Sequence, residues 1–358
     1  MTQKYNGSSG LRVGDKTRPS HVSAVYQLEQ KLGEGRSGVV FQGYNTADVD
    51  EDFSPEDVEH FAIKFFKEDL NERTAQMLRR EVAIQRKIIS PHLANVEDYS
   101  TDPEQLYIVM EYVPETLFGL FCRNVINQKV IMNLIRQASL LLRSLQDAGV
   151  VHLDFKPNNV GYQGEVVGKK VDLDDYEGGS IIALDYGLAL LLPPDGHLTV
   201  SHGGTAKTLP YSAPEFVQVG EVNKTTDTYG MGKVLEWTLT GLLSQSVAEF
   251  RDNIISYHRV KPPQSLIEMY ATMTASDSAG RPSPEELKSI ANRVITDLET
   301  GTFLFGERSI QNASDPMDVR QIQSVRSSVD NPTSLELLSL EQESFGSLGS
   351  LELLPDLI

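Results

Sequence analysis

The spacing of apolar residues changes character along the chain. From Val25 to Phe66, β-branched and aromatic residues punctuated by glycine run through VYQLEQKLGEGRSGVVFQGY and FAIKFF, a texture that predicts paired strands. The acidic stretch between them, ADVDEDFSPEDVEH, has no apolar period and reads as an exposed loop. Over Asn71 to Ile89, the residues Met77, Leu78, Val82, Ile84, Ile88 and Ile89 recur at nearly helical spacing, which predicts an amphipathic helix. LYIVMEYV, residues 106–113, reads as a buried strand.

After Pro114 the texture turns helical. VIMNLIRQASLLLRSLQDAG ends on Gly149, in the manner of a helix capped by glycine. Further helices are predicted at Lys224 to Leu242, Ser265 to Met273 and Ser283 to Leu298, the last opened by the capping-box pattern SPEE. Strands first and helices second predict an α+β chain of two lobes. Residues 1–23 are polar and Gly/Ser-rich and read as a flexible leader; the folded domain is expected over 24–297, with its lobes at about 24–113 and 114–297. The remainder, 298–358, is acidic and Ser/Leu-rich, repeats SLELL at 334–338 and 350–354, and reads as disordered.

Composition narrows this picture. A hydrophobic fraction of 40% is that of a globular protein. The single cysteine, Cys122, permits no intrachain disulfide and no zinc framework, which fits a reducing compartment. No run approaches the ~20 apolar residues of a membrane span, and the leader lacks the apolar core of a signal peptide. The expectation is therefore no membrane span and a cytoplasmic location, with nuclear entry left open. A net charge of -18 argues against binding nucleic acid, whose phosphates it would repel. The charge is uneven, however: Asp48 to Glu59 holds seven acids and no base, and the tail from Asp297 holds eleven acids against three bases. The folded core is left near neutral, so the argument holds for the appendages alone.

Candidate chemistry begins with Gly33, Gly35 and Gly38 in GEGRSGVV. A dinucleotide site needs a helix directly after such glycines, whereas VVFQGYN reads as a returning strand. A strand-glycine-strand hairpin can close backbone N–H groups over phosphates; a plain flexible tip is the alternative. Lys64 lies inside the apolar strand FAIK, and Glu81 stands on the helix predicted next. A buried lysine is costly unless paired, so an ion pair could hold the ammonium toward phosphates, against the alternative of a snorkelling lysine and a solvated glutamate. HLDFKPNN supplies His152, Asp154, Lys156 and Asn159, and LDYG supplies Asp185. Asp154 could accept a hydroxyl proton, Lys156 could neutralise phosphoryl oxygens, and Asn159 and Asp185 are hard oxygen ligands suited to Mg2+.

YSAPE (211–215), TTDTYGMGKVLEW with Asp227, and Arg281 in SAGRPSPEEL complete an ordered series. Together the motifs resemble the eukaryotic-type (Hanks-type) serine/threonine protein kinases over about residues 24–297. The resemblance implies a bilobal α+β kinase fold, with a small strand-rich N-lobe and a larger helical C-lobe, and phosphoryl transfer from ATP to a Ser/Thr hydroxyl of a protein substrate. It implies that Leu32, Gly33, Gly35, Gly38 and Val40 cover ATP. Ala62 and Lys64 would hold adenine and the α/β-phosphates, Glu81 would clamp Lys64, Met110 would gate the back pocket, and the backbone of Glu111 and Val113 would hydrogen-bond adenine. Asp154 would be the catalytic base with Lys156 beside it, and Asn159 and Asp185 would hold Mg2+, or Mn2+ in its place. Glu215 with Arg281 would form a buried ion pair, and Asp227 would brace the catalytic loop. Lys156, and Thr208 three residues before Tyr211, match the serine/threonine branch.

Two positions and one span depart from the family pattern. Leu153 stands where an arginine would pair with a phosphorylated activation loop, so the expectation is activity without that phosphate. Tyr186 replaces a phenylalanine. The span from Asn159 to Asp185 is long and reads as an extended hairpin outside the core. Two other classes compete. A small-molecule kinase of the aminoglycoside or choline type shares the Asp154 motif but usually lacks the glycine loop and the Ala-Pro-Glu segment, both present here. A pseudokinase-like scaffold predicts losses at Lys64, Asp154, Asn159 or Asp185, and none is lost. Ser309, Ser327 and Ser328 in the tail, each close to an arginine, are candidate sites of self-phosphorylation.

Overall fold

The computed structural model describes residues 16–17, 25–34, 38–48, 58–66, 72–102, 105–163, 166–167, 170–171, 180–200 and 210–301. Gly35, most of the leader and of the acidic 48–59 loop, Ser201, Thr205, Thr208, and the tail with its serines and SLELL segments lie outside the described residues. The chain divides into two units, neither continuous in sequence: Met1–Gly119 with Asn158–Leu190, and Leu120–Pro157 with Leu191–Ile358.

The first unit is built on strands β1 (Lys16–Thr17), β2 (Tyr26–Glu34), β3 (Gly38–Asn45), β4 (His60–Phe66), β5 (Val96–Asp102) and β6 (Gln105–Glu111), with helix α1 (Glu72–Lys87) between β4 and β5 in the chain. The strands form one antiparallel sheet in the order β1-β2-β3-β4-β6-β5. Alternation along β4 sorts its side chains between the two faces of that sheet. Phe61, Ile63 and Phe65 join a buried cluster with Leu28, Phe41 and Tyr107 on one face. Phe66 lies on the other, with Ile108 and Met110 and with Leu78 and Val82 of α1. The two-residue period of a strand therefore places Lys64 on the α1 face. A Cβ on Gly38 would stand 2.2 Å from the Phe65 carbonyl oxygen, so only glycine lets β3 approach β4 there.

Beyond β7 (Glu115–Thr116), helix α2 (Leu117–Cys122) leads into the second unit, which also holds β8 (Val150–Val151). Back in the first unit come β9 (Val160–Gln163), β10 (Val166–Val167), β11 (Lys170–Val171) and β12 (Ser180–Ala183); β12, β9 and β7 make a three-stranded sheet, and β10 pairs with β11. The long 159–185 span is thus a hairpin, but not one outside the core. Val160, Tyr162, Ile181, Ile182 and Ala183 are all buried, because the apolar runs at its two ends pair with each other and carry Asp185 into the unit.

The second unit is helical. Past β13 (Leu190–Leu191) and β14 (His197–Thr199) come α4 (Pro214–Val219) and β15 (Glu221–Asn223), with helices α3 (Gln128–Asp147), α5 (Thr226–Thr240), α6 (Val247–His258), α7 (Gln264–Met273) and α8 (Pro284–Thr300). α5 is buried along nearly its whole length. α3 turns a stripe including Val130, Leu134, Ala138 and Leu145 inward and packs on α8 and α5. Gly149 takes φ of +66° just after α3, as its position predicts, and Ser283 with Glu286 closes the capping box that opens α8. The α+β expectation of strands followed by helices is met. Among the described residues no helix is long and apolar enough to cross a membrane.

Candidate active site

In the first unit Lys64 Nζ sits 2.8 Å from Glu81 Oε1 and 2.8 Å from Asp185 Oδ1. The side chains of Lys64 and Glu81 are each 5% exposed, whereas that of Asp185 is 42% exposed. Burial pulls the Lys64 ammonium down; Asp185 and Glu81 outweigh it and hold the group charged far above its ordinary range. Burial pushes the Glu81 carboxyl up, opposed chiefly by Lys64.

Asp185 reaches this place because β12 delivers it. Ala183 exchanges backbone bonds with the 92–94 stretch, Leu184 N–H donates to the Asn159 carbonyl at 3.0 Å, and the chain then turns at Asp185 with φ of +61°. A side chain at Gly187 would come 3.3 Å from Asp185 Oδ1, so glycine keeps that side of the carboxylate open. Asn159 is 6% exposed.

Around the same sheet, Gly33 pairs with Val40 across the β2–β3 hairpin, Leu32 is exposed, and Ala62 pairs with Met110. Glu111 donates its N–H to the Asn95 carbonyl at 2.9 Å, so an adenine contact from Glu111 could come only through its carbonyl. Val113 follows in the loop before β7.

The second unit holds the remaining candidates. Lys156 Nζ is 2.8 Å from Asp154 Oδ2, with both side chains partly buried. The loop that carries them is pinned from α5: Asp227 accepts the His152 N–H at 2.6 Å on one oxygen and the Leu153 N–H at 3.0 Å on the other. Burial pushes the Asp227 carboxyl up, and His152 together with those two N–H groups opposes it. His152 is fully buried, stacks on Phe155 at 4.6 Å, and accepts the Asp154 N–H at Nδ1. Leu153 turns the backbone at φ of +65°.

Residues 26–297 match the family described as protein kinase domain. The chain belongs to that family. It is similar to serine/threonine-protein kinase ULK3 of Homo sapiens, at 26% identity over 242 residues, 66% of this chain and 46% of that protein. Serine/threonine-protein kinase pkn2 of Myxococcus xanthus is 26% identical over 70% of this chain and 28% of its own length. Calcium/calmodulin-dependent protein kinase type 1B of Rattus norvegicus is 25% identical over 63% of this chain and 60% of its own. The chain therefore spans less than half the length of ULK3 and pkn2.

Protein kinases use a divalent cation with ATP, and the donors present fit one. Among the described residues no group of three or more His, Cys, Asp or Glu is placed to hold a metal by itself. Asn159 and Asp185, in one unit and joined by the Leu184 N–H that donates to the Asn159 carbonyl, are hard-oxygen donors of the kind a divalent cation takes when phosphates and water complete its shell. The sequence pattern does not single out two other side chains of α1, Arg80 and Gln85. Their only signal is position, immediately before Glu81 and one helical turn after it.

Proposed function

We propose that the chain is a serine/threonine protein kinase that transfers the γ-phosphoryl group of Mg-ATP to a protein hydroxyl. The observation that carries this reading is Lys64, a buried ammonium bonded at 2.8 Å to both Glu81 and Asp185. Such a cation is fixed in direction and charge, which is what anionic phosphates need from a phosphoryl-transfer site. Leu32, Gly33, Gly35, Gly38 and Val40 would cover the nucleotide; Ala62, Met110, the Glu111 carbonyl and Val113 would line the adenine. Asn159 and Asp185 would hold the divalent cation, which when bound neutralises phosphate charge. Asp154 takes the proton of the acceptor hydroxyl as its oxygen bonds phosphorus and the bond to the ADP oxygen breaks. Lys156, 2.8 Å from Asp154, neutralises the transferring oxygens.

Phosphate transfer from labelled ATP with Mg2+, to the protein itself, to a generic basic protein and to a peptide array, tests the reading. The wild type is expected to label Ser and Thr, and Asp185→Ala to fall by about 10²-fold or more. Equal silence of both, with ATP still raising the melting temperature, would instead make the chain a nucleotide-binding scaffold.

Activity is expected without an activation-segment phosphate. Leu153 offers no guanidinium to one, and β14 is already paired with β15, Thr199 lying opposite Glu221, where a phosphate would meet a carboxylate. Phosphatase treatment should leave the rate unchanged; complete loss traced to Thr199, Ser201, Thr205 or Thr208 would overturn this.

A further inference from the structure

Helix α1 touches the Asp185 stretch at more than Glu81. Arg80 donates from Nη2 to the carbonyl oxygen of Ala189, four residues beyond Asp185. Ala189 is 1% exposed, and its own N–H returns to the Tyr186 carbonyl at 3.0 Å, so Arg80 holds the far side of the tight turn that Asp185 opens. One helical turn past Glu81, Gln85 is 4% exposed and donates from Nε2 to the Ala94 carbonyl at 3.2 Å. Ala94 N–H reaches the Ala183 carbonyl at 3.4 Å, and Ala183 N–H reaches the His92 carbonyl at 2.8 Å. The His92 ring adds a contact at 3.1 Å to the Ile181 carbonyl. Gln85 therefore grips the 92–94 stretch, which runs beside β12, the strand that ends two residues before Asp185. All of these residues belong to one unit.

We infer that Arg80 and Gln85 are positioning residues that fasten both flanks of the 183–189 stretch to α1 and so set where Asp185 presents its carboxylate. The left-handed backbone at Asp185 is a sparsely populated state that persists only when its surroundings over-determine it, and two fixed flanks supply that. Fastening from the helix takes the place of a phosphate-bound arginine, which Leu153 cannot provide. The catalytic part of this inference rests on the phosphoryl-transfer reading; the structural part does not.

The test uses the full chain with Arg80→Ala, Arg80→Lys and Gln85→Leu. Gln85→Leu keeps the volume and removes an amide to whose Oε1 nothing donates among the described residues, but it also leaves the Ala94 carbonyl without its donor, so a role limited to stability predicts a modest fall in melting temperature and little change in activity measured well below it. Positioning predicts that Arg80→Ala and Gln85→Leu each lower kcat about tenfold or more with KM for ATP nearly constant, since Lys64 and Glu81 are intact. Amide exchange over 183–190 in nucleotide-free protein should quicken by a similar factor, and Arg80→Lys, which keeps one donor, should recover most of kcat. Rates and exchange within twofold of wild type overturn the inference, as does a loss that follows the melting temperature and is not rescued by lysine. If the wild type transfers no phosphate, the function reading fails, while the exchange comparison still decides the fastening.

Discussion

Lys64→Met is expected to lower the rate of phosphoryl transfer by about 10²- to 10³-fold, because it deletes a preorganised cation while keeping the apolar stem. It also leaves Glu81 and Asp185 facing each other without the charge they share at 2.8 Å. Breaking a buried ion pair costs about 3–5 kcal/mol, and the lower end applies because the Asp185 side chain is 42% exposed and can be solvated. The pH dependence has a defined sign. Burial already lifts Glu81, and without Lys64 its folded-state affinity for a proton rises further above the unfolded value. A buried carboxylate of that kind is a penalty at pH above its folded pKa, and the penalty vanishes as pH falls through it. The stability gap between wild type and Lys64→Met should therefore narrow on acidification from neutral pH. Adding Glu81→Gln should recover most of the lost stability at neutral pH and none of the activity. Melting curves at two pH values beside the transfer assay check both, and a double variant that regained activity would remove Lys64 from the proposed phosphate site.

The parts of this fold that the sequence announces are those where one face is buried and the other wet. α3 and α8 show a clean stripe, and their caps at Asn127 and Ser283 are where the residue types predict. α6 shows no such stripe: within it only Phe250 and Ile254 are buried, one turn apart, too few to stand out in VAEFRDNIISYH. β5 is an edge strand whose VEDYSTD buries only Ser100, so its sequence reads as loop. α5 is buried on all sides and shows no period, and its helix is legible mainly from length and the glycine that ends it.

The chemistry was legible for a different reason. Lys64, Glu81, Asp154, Asn159 and Asp185 stand in motifs that are weak one by one, and it is their ordered series, through its resemblance to the protein kinases, that singles them out as candidates. What spacing does not carry is partnership. Nothing in the sequence says that one ammonium bonds two carboxylates, or that the Glu111 N–H is taken by Asn95. Arg80 and Gln85 escape for the same reason: their partners are backbone carbonyls, and a carbonyl has no letter in the sequence.

Glu215→Ala is expected to be the most destabilising single change in the second unit. The Arg281 side chain has no exposure, and its two terminal nitrogens reach the two Glu215 oxygens at 2.7 and 2.6 Å. The rest of the guanidinium is tied down as well, with Nε on the Ala275 carbonyl at 2.9 Å, Nη1 on the Thr225 carbonyl at 3.2 Å and the Tyr229 ring 5.2 Å away. Removing the carboxylate thus strands a buried charge that cannot swing to water, at a cost of about 3–5 kcal/mol out of a total near 5–15. That corresponds to a fall in melting temperature of about 10 °C. Arg281→Lys should also be damaging, since an ammonium cannot reproduce the fork that meets both oxygens and both carbonyls. Glu215→Ala combined with Arg281→Met removes both charges and should recover much of the loss, because paired removal leaves no uncompensated ion. Glu215 lies in the first turn of α4, directly after Ala213 and Pro214, so the single variants should also loosen the end of the segment that begins at Asp185. Calorimetry of the two singles and the double decides the matter: a double variant no more stable than Glu215→Ala would mean that the pair contributes packing and not charge compensation.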